Sequence, residues 1–119
     1  MFPPFLLAKL NLKGSLKNSD NGFEFELKNI IDSTMLVGIG PISVEDKTYA
    51  GEAITMTIAD RIVNGAQITF QAPVRVRVGL PIKISVAGEQ LAAGERKITV
   101  VADTSDIGKI KFEINDTVA

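Results

Sequence analysis

The chain alternates. Between Leu6 and Leu16 apolar or small residues (Leu6, Ala8, Leu10, Leu12, Gly14, Leu16) take every second position, and after Leu7 the others are Lys9, Asn11, Lys13, Ser15 and Lys17. A period of two places alternate side chains on opposite faces of a strand, so this pattern predicts a long strand with one wet face. Asn18-Ser19-Asp20-Asn21-Gly22 follows, a run of residues that tolerate the backbone angles of a tight reversal. Phe23-Glu24-Phe25-Glu26-Leu27-Lys28 then alternates again, which predicts a hairpin pairing Leu16 with Phe23 and Phe25 with Gly14.

The same logic extends along the chain. Met35-Leu36-Val37-Gly38-Ile39-Gly40-Pro41 is apolar on both faces and interrupted by glycine and proline, as expected of a short buried or bulged strand. Val74–Val78 and Ile82–Val86 alternate on either side of Gly79-Leu80-Pro81 and predict a second hairpin. Lys97–Ala102 and Lys109–Ile114, joined across Asp103–Gly108, predict a third. No run of ten residues carries a helical apolar stripe, and Gly88–Gly94 allows one turn at most. The expected fold is therefore all-β: one antiparallel β-sandwich spanning residues 1–119, with about 8–10 strands and little or no helix. A small β-barrel is the alternative.

A regularity runs through the middle third. Ser43–Met56 aligns without a gap on Thr57–Phe70 at its Asp, Gly, Ile and Thr positions, with a looser third copy from Ser85 to Val100. The period is too short for known solenoid units, so the pattern predicts recurring strand, turn and glycine in a β meander rather than three equivalent binding loops. Leu91–Val100 resembles the loop and penultimate strand of immunoglobulin-like or fibronectin-type sandwiches, without their tyrosine corner, cysteine pair or core tryptophan. The resemblance covers about a tenth of the chain and implies an architecture, not an activity.

Composition changes the picture mainly by subtraction. There is no histidine and no cysteine, which removes the usual neutral-pH base and the imidazole and thiolate ligands of zinc and copper. No catalytic, cofactor or metal constellation is predicted. Asp46 and Asp60, equivalent in the repeat, read as turn formers, and neither Asp20–Gly22 nor Asp103–Asp106 has the spacing of a calcium loop. Gly38-Ile39-Gly40-Pro41 lacks the lysine and helix start of a phosphate loop. Thirteen basic against fourteen acidic residues give no bulk attraction to nucleic acid or anionic lipid. One tyrosine and no tryptophan leave little platform for sugars, and the phenylalanines fall mostly on the core phase.

Two features suggest binding. Arg75, Arg77 and Lys83 would share the polar face of the second hairpin as a basic strip fit for an anion or acidic partner, unless Glu24, Glu26 or Glu113 neutralise it. Phe2, Phe5 and Leu7 sit beside or out of phase with the core and would expose apolar surface on a monomer. The favoured reading is thus a non-catalytic interaction module that self-associates or docks on a protein partner. An anion- or small-ligand-binding module is the alternative, with nucleic-acid binding or an enzyme subunit behind it. Lys9 cuts the apolar N-terminal run short of a membrane span, and no basic segment precedes it as in an export signal. With no cysteines, the expected location is the cytoplasm.

Overall fold

A computed structural model describes residues 14–28, 33–77, 79–106 and 108–118. Within these residues ten strands form two antiparallel sheets packed face to face. In chain order they are β1 (Lys17–Ser19), β2 (Gly22–Lys28), β3 (Thr34–Val44), β4 (Lys47–Tyr49), β5 (Ile54–Ile58), β6 (Arg61–Asn64), β7 (Val74–Val76), β8 (Pro81–Ala87), β9 (Gly94–Thr104) and β10 (Gly108–Val118). One sheet has the order β1-β2-β8-β5-β6 and the other β10-β9-β3-β4, with β7 also paired to β3. Two single-turn 3₁₀ segments, Gly51–Ala53 and Gly65–Gln67, are the helical structure among the described residues.

Alternation explains the core. Phe23, Phe25, Ile54, Ile84 and Val86 project from the first sheet onto Ile42, Val74, Ile98, Val100 and Ile114 of the second, all essentially inaccessible to water. Burying side chains of this size contributes about 1.5–3 kcal/mol each. The expected sandwich is the observed fold.

The three expected hairpins each differ from expectation. In the first, Ser19 pairs with Gly22 and Lys17 with Glu24, so Asp20 and Asn21 alone make the turn. That register sets Phe25 at the level of Leu16, not Gly14, and Glu26 N–H donates to Ser15 Oγ at 2.9 Å. Asn18 thus lies in β1 opposite Phe23 and not in the turn. The second expected hairpin does not exist: β7 pairs with β3 in one sheet and β8 pairs with β2 and β5 in the other. Both strands do alternate, but Gly79-Leu80-Pro81 carries the chain across the sandwich. The third hairpin is present and longer than expected, with Gly108 opposite Thr104 and Val118 opposite Gly94.

The repeat is architectural. Its two copies superimpose hairpin on hairpin, since Ser43↔Thr48 and Val44↔Lys47 correspond to Thr57↔Ile62 and Ile58↔Arg61. The first turn residue of each, Glu45 and Ala59, adopts a left-handed φ of 57° and 56°. Each copy ends in a 3₁₀ turn that leads to the opposite sheet, the first from β4 to β5 and the second from β6 toward β7. Asp46 and Asp60 follow the left-handed residue in each turn, as turn formers do. A left-handed alanine costs about 1–2 kcal/mol, whereas glycine there costs mainly its extra unfolded-state entropy. Ala59→Gly is therefore expected to raise stability by about 0.5 kcal/mol, measured as a higher denaturant midpoint at constant slope.

Candidate functional site

One end of the sandwich gathers three connections: the β1–β2 turn, the β3–β4 turn and the segment 88–93 between β8 and β9. Where the last two meet lies a hollow of about 150 Å³, lined among others by Val44, Lys47, Tyr49, Glu89, Leu91 and Arg96. Tyr49 forms its floor, edge-on to Phe23 with ring centroids 5.5 Å apart. Such an aromatic pair is favoured beyond the area it buries.

Arg96 holds this end together. Its Nε donates to the Ala92 carbonyl at 3.0 Å, Nη2 to Ala93 at 2.9 Å, and Nη1 to the Glu95 carbonyl at 3.2 Å and Glu45 Oε1 at 3.1 Å. A rigid fork of five N–H groups suits this task, joining a loop to a neighbouring turn. The Asn18 amide clasps the Leu91 backbone from the other side, donating to its carbonyl at 2.9 Å and accepting its N–H at 2.7 Å. Gln90 Nε2 donates to Ser19 O at 2.7 Å, and Gly88 N–H to Asn21 O at 2.9 Å. The guanidinium is thus committed to the fold, and the carboxylates of Glu45, Asp46 and Glu89 outnumber the cations Lys47 and Arg96 around the hollow.

Lys47 and Glu89 close the rim as an exposed ion pair. The hydrogen bond and charge of Lys47 hold the Glu89 carboxyl below its ordinary range, and Glu89 raises the Lys47 ammonium in return. The lowered carboxyl favours folding above its unfolded-chain pKa and loses that contribution as pH falls through its folded value. The raised ammonium favours folding below its own and loses it as pH rises through its folded value, so the pair is intact across the neutral range. Because both groups are solvated, Lys47→Met is expected to leave the thermal midpoint unchanged. The Glu89 titration followed by NMR should move upward in that variant; an unmoved titration would show that the pair is not formed in solution.

The expected basic strip is not brought together. Arg75 on β7 belongs to one sheet and Arg77 lies just beyond that strand, both exposed, whereas Lys83 points outward from the other sheet. Outer faces of packed sheets look in opposite directions. Lys83 is also neutralised by Glu24 at 2.9 Å, and Glu24 lies 3.9 Å from Lys17. Phe2, Phe5 and Leu7 lie outside the described residues. Exposed apolar surface does occur where the sequence reading missed it, at Ile62 on the edge strand β6 and Phe70 in the segment before β7, which are 71% and 75% accessible. Ile62 occupies the outward phase of its strand and Phe70 lies in no strand, a signal that strand periodicity by itself does not give.

Buried polar chemistry was missed as well. Asp116 is 3% accessible, on the same inward phase of β10 as Phe112, Ile114 and Val118. Its carboxylate accepts N–H groups from Gly14 (2.9 and 3.1 Å), Leu16 (3.2 Å) and Thr117 (2.8 Å). The visible signal is an acid at a position where the alternation calls for a hydrophobe. Its neighbours are backbone amides, so its role is to bind the approach to β1 onto β10.

Residues 6–119 match the family described as hydroxymethylglutaryl-CoA reductase, N-terminal domain. No curated protein matches the chain.

Proposed function

The chain belongs to the hydroxymethylglutaryl-CoA reductase N-terminal domain family, which is not that enzyme's catalytic domain, and on that premise we propose that it is a non-catalytic docking module for a reductase catalytic domain. The family match across residues 6–119 carries the reading and supports treating the chain as one unit. The rigid end built around Arg96 offers structural fixation, while Ile62 and Phe70 offer apolar surface of the kind that anchors protein interfaces.

The strand orders support an immunoglobulin-like scaffold. β1, β2, β8 and β5 correspond to the A, B, E and D strands of that architecture, and β3, β9 and β10 to C, F and G. β4 extends the second sheet, and β6 with β7 is inserted between the D and E equivalents. No helix among the described residues is long and apolar enough to cross a membrane, and the absence of cysteine supports a reducing compartment.

The test is to mix the chain with a hydroxymethylglutaryl-CoA reductase catalytic domain that lacks it, then follow association by light scattering and titration. Co-elution in a fixed ratio is expected, with Phe70→Ala weakening binding on the order of tenfold. Independent elution at micromolar concentrations would sink the proposal. Growth in mass of the chain alone would favour self-association instead.

A further inference from the structure

Two Asn-Gly dipeptides occur, Asn21-Gly22 and Asn64-Gly65, and the fold holds the side chain of one asparagine and leaves the other exposed. Asn64 is clamped: Oδ1 accepts from Ala66 N–H at 3.0 Å, Nδ2 donates to the Glu52 carbonyl at 3.0 Å, and its own N–H donates to Gln67 Oε1 at 3.2 Å. Gly65 behind it is buried against Gly51, and Gly22 is buried too, at the start of β2 between Ser19 and Ala87, so what separates the two sites is the asparagine side chain. Asn21 is exposed at the second position of the two-residue β1–β2 turn, and its side chain has no hydrogen-bond partner among the described residues. Glycine after asparagine leaves the following backbone nitrogen unshielded by any side chain.

We propose that Asn21 is a site of spontaneous deamidation, and that Asn64 is protected from the same reaction by the fold. The Gly22 backbone nitrogen forms a bond to Cγ of Asn21, the Cγ–Nδ2 bond breaks, and the proton shed by Gly22 leaves with the amide as ammonia. Water then opens the five-membered imide. Cleavage between Cγ and the ring nitrogen gives aspartate; cleavage at the main-chain carbonyl gives an iso-aspartyl linkage. Each product has exchanged NH₃ for H₂O, with no oxidant or reductant. The iso-aspartyl form adds a backbone methylene to a two-residue turn and displaces the Asn21 carbonyl that receives Gly88 N–H at 2.9 Å. One end of the 88–93 segment is thereby released.

The whole chain is incubated in mildly alkaline buffer, with and without denaturant, and its tryptic peptides are compared by mass spectrometry. Asn21 lies in the peptide Asn18–Lys28 and Asn64 in Ile62–Arg75. In the folded protein, conversion at Asn21 is expected to exceed that at Asn64 by about tenfold or more, the factor set by the two side-chain hydrogen bonds that Asn64 must break. In denaturant the two rates should converge. Asn21→Gln should abolish the modification of its peptide. Equal rates in the folded protein, or faster conversion at Asn64, would overturn the proposal.

Discussion

Gly65→Ala is expected to lower the free energy of unfolding by about 3 kcal/mol, the upper end of the cost of overpacking a closed interior. A β-carbon on Gly65 would lie 2.6 Å from the Gly51 carbonyl oxygen and 2.8 Å from Ile39 Cγ2. The oxygen is main chain and cannot swing aside as a side-chain tip would. The two 3₁₀ turns rest on each other through these glycines and against the middle of β3, where they bring the chain from one sheet to the other. Moving Gly65 outward also strains the Asn64–Glu52 bond that spans the two turns. Gly51→Ala meets its neighbours at 3.2–3.4 Å and should cost less, about 1 kcal/mol. Gly79→Ala is the control, since no described atom lies within 4 Å of its added carbon and only its left-handed φ of 87° is penalised, by about 1 kcal/mol. Urea midpoints at a common slope decide the order. If Gly65→Ala were no worse than Gly79→Ala, the contact between turns would carry no structural weight.

That contact marks the boundary of what alternation reveals. The inward set Phe23, Phe25, Ile82, Ile84, Ile98 and Val100 is legible because a half-buried strand must repeat every two residues. Alternation is silent about which strand is the neighbour. Val74–Val76 and Pro81–Ala87 present the same pattern whether they pair with each other or lie in different sheets, and the choice falls on pairing with β3, β2 and β5. With the hairpin goes the basic strip, because Lys83 moves to the opposite outer face. The repeat is visible as sequence, but its meaning rests on Gly51 touching Gly65, a contact across two copies that no local pattern encodes. Asn18 reads as part of a turn and the local pattern does not single out Arg96; their bonds to Ala92, Ala93 and Leu91 depend on where a loop lands.

Asp116→Ala is expected to cost about 3 kcal/mol, since it leaves the buried Leu16 N–H and the part-buried Gly14 N–H without their acceptor. Among the described residues no cation lies within ion-pair distance of this carboxylate; converging N–H dipoles stabilise the charge instead. These bonds join the approach to β1, an edge of the first sheet, to β10, an edge of the second, so they close one flank of the sandwich. Asp116→Asn should fall between wild type and alanine. One amide oxygen can serve Gly14 and Leu16 from the Oδ2 position, but the NH₂ group then faces Thr117 N–H, donor against donor. A lost latch also differs in kind from a lost core side chain. Hydrogen exchange at Leu16 and through β1 should accelerate in the alanine variant more than exchange in the β9–β10 ladder, because the flank opens before the sheets part. Uniform acceleration would make Asp116 one buried group among many, and a cost below about 1 kcal/mol would remove the latch altogether.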